Sequence, residues 1–122
     1  MAMPKFRSKL EQDCAKQLGK EWKYEPSRIA YTVRRNYIPD FVSGKHYIEV
    51  KGFFRAGDTQ KYKAIAEQLQ FEGKSLIFLM PNPDKMTRKN GKTSYRDWCK
   101  KHGIPIFSTK EIKQLKEWTR KQ

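Results

Sequence analysis

The sequence predicts a small domain of α/β or α+β type, and three observations carry that expectation. Phe6, Leu10, Cys14 and Leu18 recur every four residues and draw one apolar stripe down a helix. Ser75 to Met80 is a nearly continuous apolar run, as expected of a strand covered on both faces. Around it, helical patterns with cap signals alternate with short strand-like segments. At 122 residues the chain fits one domain, 1–122, with a modest core. It contains no repeat, low-complexity tract or linker.

The first helix is expected over Lys5–Gly19, where the glycine stops it. Trp22–Tyr24 and Arg28–Tyr37 read as strands, broken at Glu25-Pro26-Ser27. A hairpin follows, turning around Ser43-Gly44-Lys45 and returning to Lys51-Gly52. Asp58 or Thr59 is placed to cap a helix reaching Phe71, with Tyr62, Ile65, Ala66 and Leu69 facing inward. After the strand Ser75–Met80, the stretch Pro81–Thr93 is predicted to be a loop, because no periodicity survives there. Ser94 and Asp97 approximate a capping box for a short helix ending at Gly103, and Ile104–Phe107 reads as a strand. Ser108 and Glu111 form a second box, for a last helix through Ile112, Leu115 and Trp118.

Twenty-seven Lys and Arg against thirteen Asp and Glu give a net charge of +14. So large an excess on a short chain points to a polyanionic partner, and nucleic acid comes first. The excess leans towards the C-terminal end, where Pro81–Gln122 carries twelve basic and four acidic residues. A hydrophobic share of 37% is lean for a self-sufficient globule and points to apolar surface covered by a second subunit. Cys14 and Cys99 have no C-x-x-C spacing, and His46 and His102 are not spaced as zinc ligands. Two reduced, largely buried thiols are expected. Without a membrane-length apolar run or a secretory leader, the expected setting is cytoplasmic, with no membrane partner.

The chemistry centres on the hairpin. Asp40 ends its first arm, and the period of two on the second arm sets Tyr47, Glu49 and Lys51 on one face, Ile48 and Val50 on the other. Two carboxylates and an ammonium thereby meet. Asp40, Glu49 and the backbone carbonyl of Val50 form an oxygen donor set suited to Mg²⁺, with Lys51 beside it to orient water or offset phosphate charge. Glu11, next to the helix stripe, is a further acid for a second ion. No Ser-His-Asp arrangement and no glycine-rich phosphate cradle is present, so a nucleotide cofactor is not expected. The same hairpin residues also fit a plain solvated ribbon, and Glu11 fits an exposed helix position. The basic chain and the preceding acid favour a metal-dependent nuclease.

Four blocks occur in order: Phe6-Arg7-Ser8-Lys9-Leu10-Glu11, Tyr37-Ile38-Pro39-Asp40-Phe41, Ile48-Glu49-Val50-Lys51-Gly52, and Thr93-Ser94-Tyr95 with Trp98-Cys99 and Lys101-His102-Gly103-Ile104. Together they resemble endonuclease I of the T-seven-like bacteriophages, Holliday-junction resolvases of the PD…(D/E)xK nuclease superfamily. The resemblance runs from Phe6 to about Phe107. It implies a restriction-endonuclease-like core, a mixed central sheet flanked by helices, in a homodimer that exchanges segments through a bridge around 26–36. It further implies Asp40, Glu49 and Lys51 in the metal and catalytic roles, and Glu11 contributed by the other chain. The substrate it implies is branched DNA, a four-way junction, in an infected bacterial cell, with Mg²⁺ as cofactor and Mn²⁺ able to replace it.

A junction has no base signature, so Lys and Arg must bind it through phosphates and shape. Lys85, Arg88, Lys89 and Lys92 in the loop, and Arg34 and Arg35 near the bridge, are the candidates. A nicking or sequence-selective endonuclease of homing or repair type is the alternative on the same fold. A non-catalytic DNA-binding protein is a further one.

Overall fold

The computed structural model describes residues 5–122. The chain divides into two compact units, the first ending at Arg35 and the second spanning Asn36–Gln122, so the division falls within the 26–36 stretch.

In the first unit, helix α1 covers Lys9–Leu18, not the longer span the apolar stripe predicts. Ser8 sets its start by accepting the Glu11 backbone N–H at 3.2 Å, a side-chain cap that the reading from Lys5 overlooked. No residue of α1 is buried, and the stripe stays open, with Leu10 73% exposed. Cys14 is likewise exposed, against the expectation of a buried thiol. Trp22–Tyr24 is not a strand. It carries Tyr24 back towards α1, where the ring meets Phe6 edge-on at 4.6 Å between centroids. The expected strand Arg28–Tyr37 also joins no ladder among the described residues. A strand needs a partner for its N–H and C=O groups, and its composition alone supplies none.

The second unit is α+β. Its strands β1 (Phe41–Ser43), β2 (His46–Val50), β3 (Ser75–Met80) and β4 (Ile106–Ser108) form one sheet in that order. The first pair is antiparallel and the other two are parallel, so the sheet is mixed. Between and after the strands come helices α2 (Asp58–Phe71), α3 (Tyr95–Lys101) and α4 (Ile112–Lys121). β3 is covered on both faces, as its unbroken apolar run predicts. Leu76, Phe78 and Met80 pack with Tyr62 and Ala66 of α2 and Tyr95, Trp98 and Cys99 of α3. Ile77 and Leu79 pack on the opposite face with Leu115 of α4, and Ile48 and Trp118 lie against them. Burial pushes the Cys99 thiol up to about 12, so it is an inert core group.

Two helix starts differ from those predicted. Gly57, in the left-handed region, precedes α2, and Asp58 stands inside the helix, its side chain bound to the Arg55 N–H. Before α4 only half of the box forms: the Glu111 carboxylate accepts the Ser108 N–H at 2.9 Å, while the Ser108 hydroxyl accepts the Lys110 N–H at 2.9 Å.

Candidate active site

The hairpin forms with Gly44 in its turn at φ 57°, and Ser43 pairs with His46 across it. The Asp40 N–H donates to the Ile48 carbonyl at 3.1 Å, so the ladder reaches the aspartate itself. In β2, Glu49 pairs in register with Phe78 and Ile48 with Ile77. In a parallel pair, partners share a face, which puts Glu49 on the α2 side and Ile48 on the α4 side. The period-of-two reading of the hairpin is therefore borne out.

Asp40 and Glu49 meet here. Asp40 Oδ2 accepts the Val50 N–H at 2.8 Å, which fixes the carboxylate across the hairpin. The two carboxyl groups lie within hydrogen-bonding reach, and they titrate in opposite directions. Asp40 is held below the usual carboxylate range by its bond with Glu49 and then by the Val50 N–H. Glu49, 9% exposed, is pushed up by burial and by Asp40. The Tyr37 hydroxyl donates to Glu49 Oε1 at 2.8 Å and holds the other side of that carboxylate. Burial, then the carboxylate, drives the Tyr37 pKa upward, so the phenol stays a donor. An all-oxygen pair, one carboxyl held down and its neighbour pushed up, has the donor chemistry of a hard divalent ion.

Lys51 follows directly on β2, its N–H donating to the Leu79 carbonyl at 3.1 Å. Its ammonium sits 3.1 Å from Asp58 Oδ2 and 5.1 Å from the centroid of the Tyr62 ring. Burial works against the Lys51 charge, but bonds to Asp58 and Tyr62 outweigh it, and its pKa lies above the ordinary value. Its charge also acts on both Asp40 and Glu49. Asp40 and Glu49 are thus brought together within the second unit, and Lys51 follows on the same hairpin with its ammonium paired to Asp58 rather than to either carboxylate. Three neighbours were missed: Tyr37, three residues before Asp40, and Asp58 and Tyr62, one helical turn apart. In the sequence Tyr37 reads as a strand residue, Tyr62 as an inward-facing residue of its helix and Asp58 as a helix cap, none of them as part of the site.

Glu11 belongs to the first unit. It is the third residue of α1 and accepts a hydrogen bond from the Tyr24 hydroxyl, whose pKa rises chiefly for that reason. That hydroxyl also accepts the Arg7 N–H at 3.3 Å, and Arg7 pairs with Glu25 at 3.1 Å. Arg34 and Arg35 are exposed in the same unit.

The loop after β3 is more ordered than its lack of periodicity implies. Thr87 donates to the Thr93 carbonyl at 2.9 Å and Tyr95 to the Lys85 carbonyl at 3.0 Å, closing it as a small ribbon. Asp84 pairs with Arg96 at 2.8 Å at its base. Lys85, Arg88, Lys89 and Lys92 all project from it exposed. The first three line a hollow of about 540 Å³ with Phe53, Phe54, Met86 and Tyr95.

A mixed sheet whose hairpin carries Asp40, Glu49 and Lys51 is the core expected of a restriction-endonuclease-like nuclease. The phage endonuclease I family matches residues 1–122, and the chain belongs to that family. It is 37% identical over 114 residues to endodeoxyribonuclease 1 of Enterobacteria phage T3, covering 88% of this chain and 73% of that one. It is 32% identical over 106 residues to endonuclease I of Escherichia phage T7, covering 81% and 70% respectively. The protein is an endodeoxyribonuclease, and its substrate is DNA. No described helix is long and apolar enough to cross a membrane.

Proposed function

We propose that this endonuclease is structure-selective and metal-dependent, and that it resolves four-way DNA junctions and cuts branched DNA in the infected bacterial cell. The observation that carries the proposal is the Asp40–Glu49 carboxyl pair on the hairpin, with the Lys51 ammonium acting on both groups. Asp40, Glu49 and the Val50 carbonyl would hold Mg²⁺, or Mn²⁺ in its place. Such an ion lowers the pKa of bound water and offsets charge on the phosphate.

The chain's own groups do the rest. Asp40 is fixed by the Val50 N–H, and Glu49 by Tyr37, so both donors are held before any cation arrives. As the water oxygen bonds to phosphorus and the bond to the leaving oxygen breaks, the Lys51 ammonium faces the negative charge that gathers on the phosphate oxygens. Lys85, Arg88, Lys89 and Lys92, with Arg34 and Arg35, bind phosphates along the arms of the junction. Contacts of this kind select geometry rather than base sequence.

The reading includes a homodimer in which the partner's Glu11 completes each site. It is supported by the apolar residues the first unit leaves uncovered: Leu10, Leu18, Trp22, Ile29, Tyr31 and Val33 are all more than half exposed. The segment 26–36 would be the bridge, finding in the second copy the ladder it lacks in the first. Two sites related by a dyad would cut symmetric strands of a two-fold junction.

The test compares cleavage of a four-way junction with a linear duplex made of the same arms, with Mg²⁺ and with EDTA. Cleavage is expected only with the metal, and at least about tenfold faster on the junction, a difference of about 1.4 kcal/mol in transition-state stabilisation. Equal rates on both substrates would exclude junction selectivity. Full activity in EDTA would exclude the metal.

A further inference from the structure

The Lys51 ammonium is held from two directions by residues of one helix face. Asp58 and Tyr62 stand four residues apart on α2, and neighbours at that spacing point the same way. Asp58 Oδ2 lies 3.1 Å from Lys51 Nζ, with the two side chains only 12% and 18% exposed. The same oxygen accepts the Arg55 N–H at 2.8 Å, and the Asp58 N–H donates to the Arg55 carbonyl at 3.0 Å. The carboxylate is therefore locked to the backbone of the loop that leads from β2 into α2. The Tyr62 ring closes the other side of the ammonium at 5.1 Å and is itself buried against Phe54 and Phe78.

A lysine has four side-chain torsions, and nothing in a strand end fixes the last of them. We propose that Asp58, backed by Tyr62, is a positioning residue that fixes the Lys51 ammonium beside the Asp40–Glu49 pair. In this role Asp58 acts through Lys51, its carboxylate being taken up by the ammonium and the Arg55 N–H. A partly buried ion pair adds little to stability on its own, so a stabilising role does not account for the arrangement. The proposal rests on the catalytic role given above to Lys51.

The test uses the full-length protein with Mg²⁺ and junction DNA. Single-turnover rate, junction Kd and thermal midpoint are measured for wild type, Asp58→Asn, Asp58→Glu, Lys51→Ala and the double variant Lys51→Ala/Asp58→Asn. Asp58→Asn is expected to lose about 10–100-fold in rate, the range typical of groups that orient a catalytic side chain. Kd should stay within about twofold, Asp58→Glu should recover part of the rate, and the double variant should be no slower than Lys51→Ala. Three results would overturn the proposal: an Asp58→Asn protein as fast as wild type beside an inactive Lys51→Ala, losses that multiply in the double variant, or loss of rate only in step with loss of binding and thermal midpoint. A Lys51→Ala protein that cleaves like wild type would instead remove the role of Lys51, and the positioning role with it.

Discussion

His102 ends α3, its ring 4.5 Å from that of Trp98, and its pKa is held below the ordinary histidine value by burial and by the nearby Lys63 and Lys101 charges. The unfolded chain binds a proton at about 6.5, where the folded one does not, so stability should rise with pH across the interval below that value. The contribution is complete above the ordinary value and is lost as pH falls through it towards the lower folded value. Urea midpoints of wild type and His102→Gln, taken from pH 7.5 to 5, should diverge at the neutral end and converge at the acid end. Parallel profiles would show that His102 does not sense the fold. His102 also belongs to one of the blocks that carry the resemblance, Lys101-His102-Gly103-Ile104. The His102 and Gly103 carbonyls both accept from the Gln70 amide, Gly103 takes φ 67°, and Ile104 enters the core. Lys101-His102-Gly103-Ile104 is a helix stop tied to α2, and its role is structural. Among the site residues, Asp40, Glu49 and Lys51 were legible because period two admits one arrangement of a short hairpin. Asp58 was not, since an aspartate after Gly57 reads as a cap until its partner across the fold is seen.

β3 is the element on which the second unit is assembled, because both apolar clusters draw alternate residues from it. Phe78 is fully buried, with ring centroids of Tyr62 at 5.2 Å, Phe54 at 5.9 Å and Trp98 at 6.2 Å. Tyr62 and Phe54 flank the Lys51 loop, so the core under β3 is also the floor of the site. Phe78→Ala should cost about 3–5 kcal/mol in chemical denaturation. A loss below about 1 kcal/mol would mean the cluster is looser than its geometry states. Strands and helices in this unit were legible from periodicity and caps, although α4 starts at Ile112, three residues later than a Ser108 cap implies, and β1 lies beyond Asp40 rather than ending at it. In the first unit the helix was legible and the strands were not, for a physical reason. Residues 28–37 have strand composition, but a ladder requires a neighbour, and one copy of the chain supplies none.

Taken whole, the chain joins a well-packed basic unit, Asn36–Gln122, to a first unit that leaves its apolar residues uncovered. A net charge of +14 suits a substrate made of phosphates, and the exposed apolar stripe of α1 suits a second copy. The central claim is that Asp40, Glu49 and Lys51 of one copy act with Glu11 of the other. Its most direct measurement is complementation. Glu11→Gln and Lys51→Ala chains carrying different tags are co-expressed, the mixed dimer is purified on both tags, and junction cleavage is compared with each variant alone. In the shared arrangement one site of the mixed dimer carries both lesions and the other carries neither. The two pure dimers should therefore be inactive, by about 10²-fold or more, while the mixed dimer should cut one strand at close to the wild-type rate per intact site. A mixed dimer as inactive as its parents, a protein that stays monomeric at micromolar concentration, or a Glu11→Gln dimer with full activity would contradict the account.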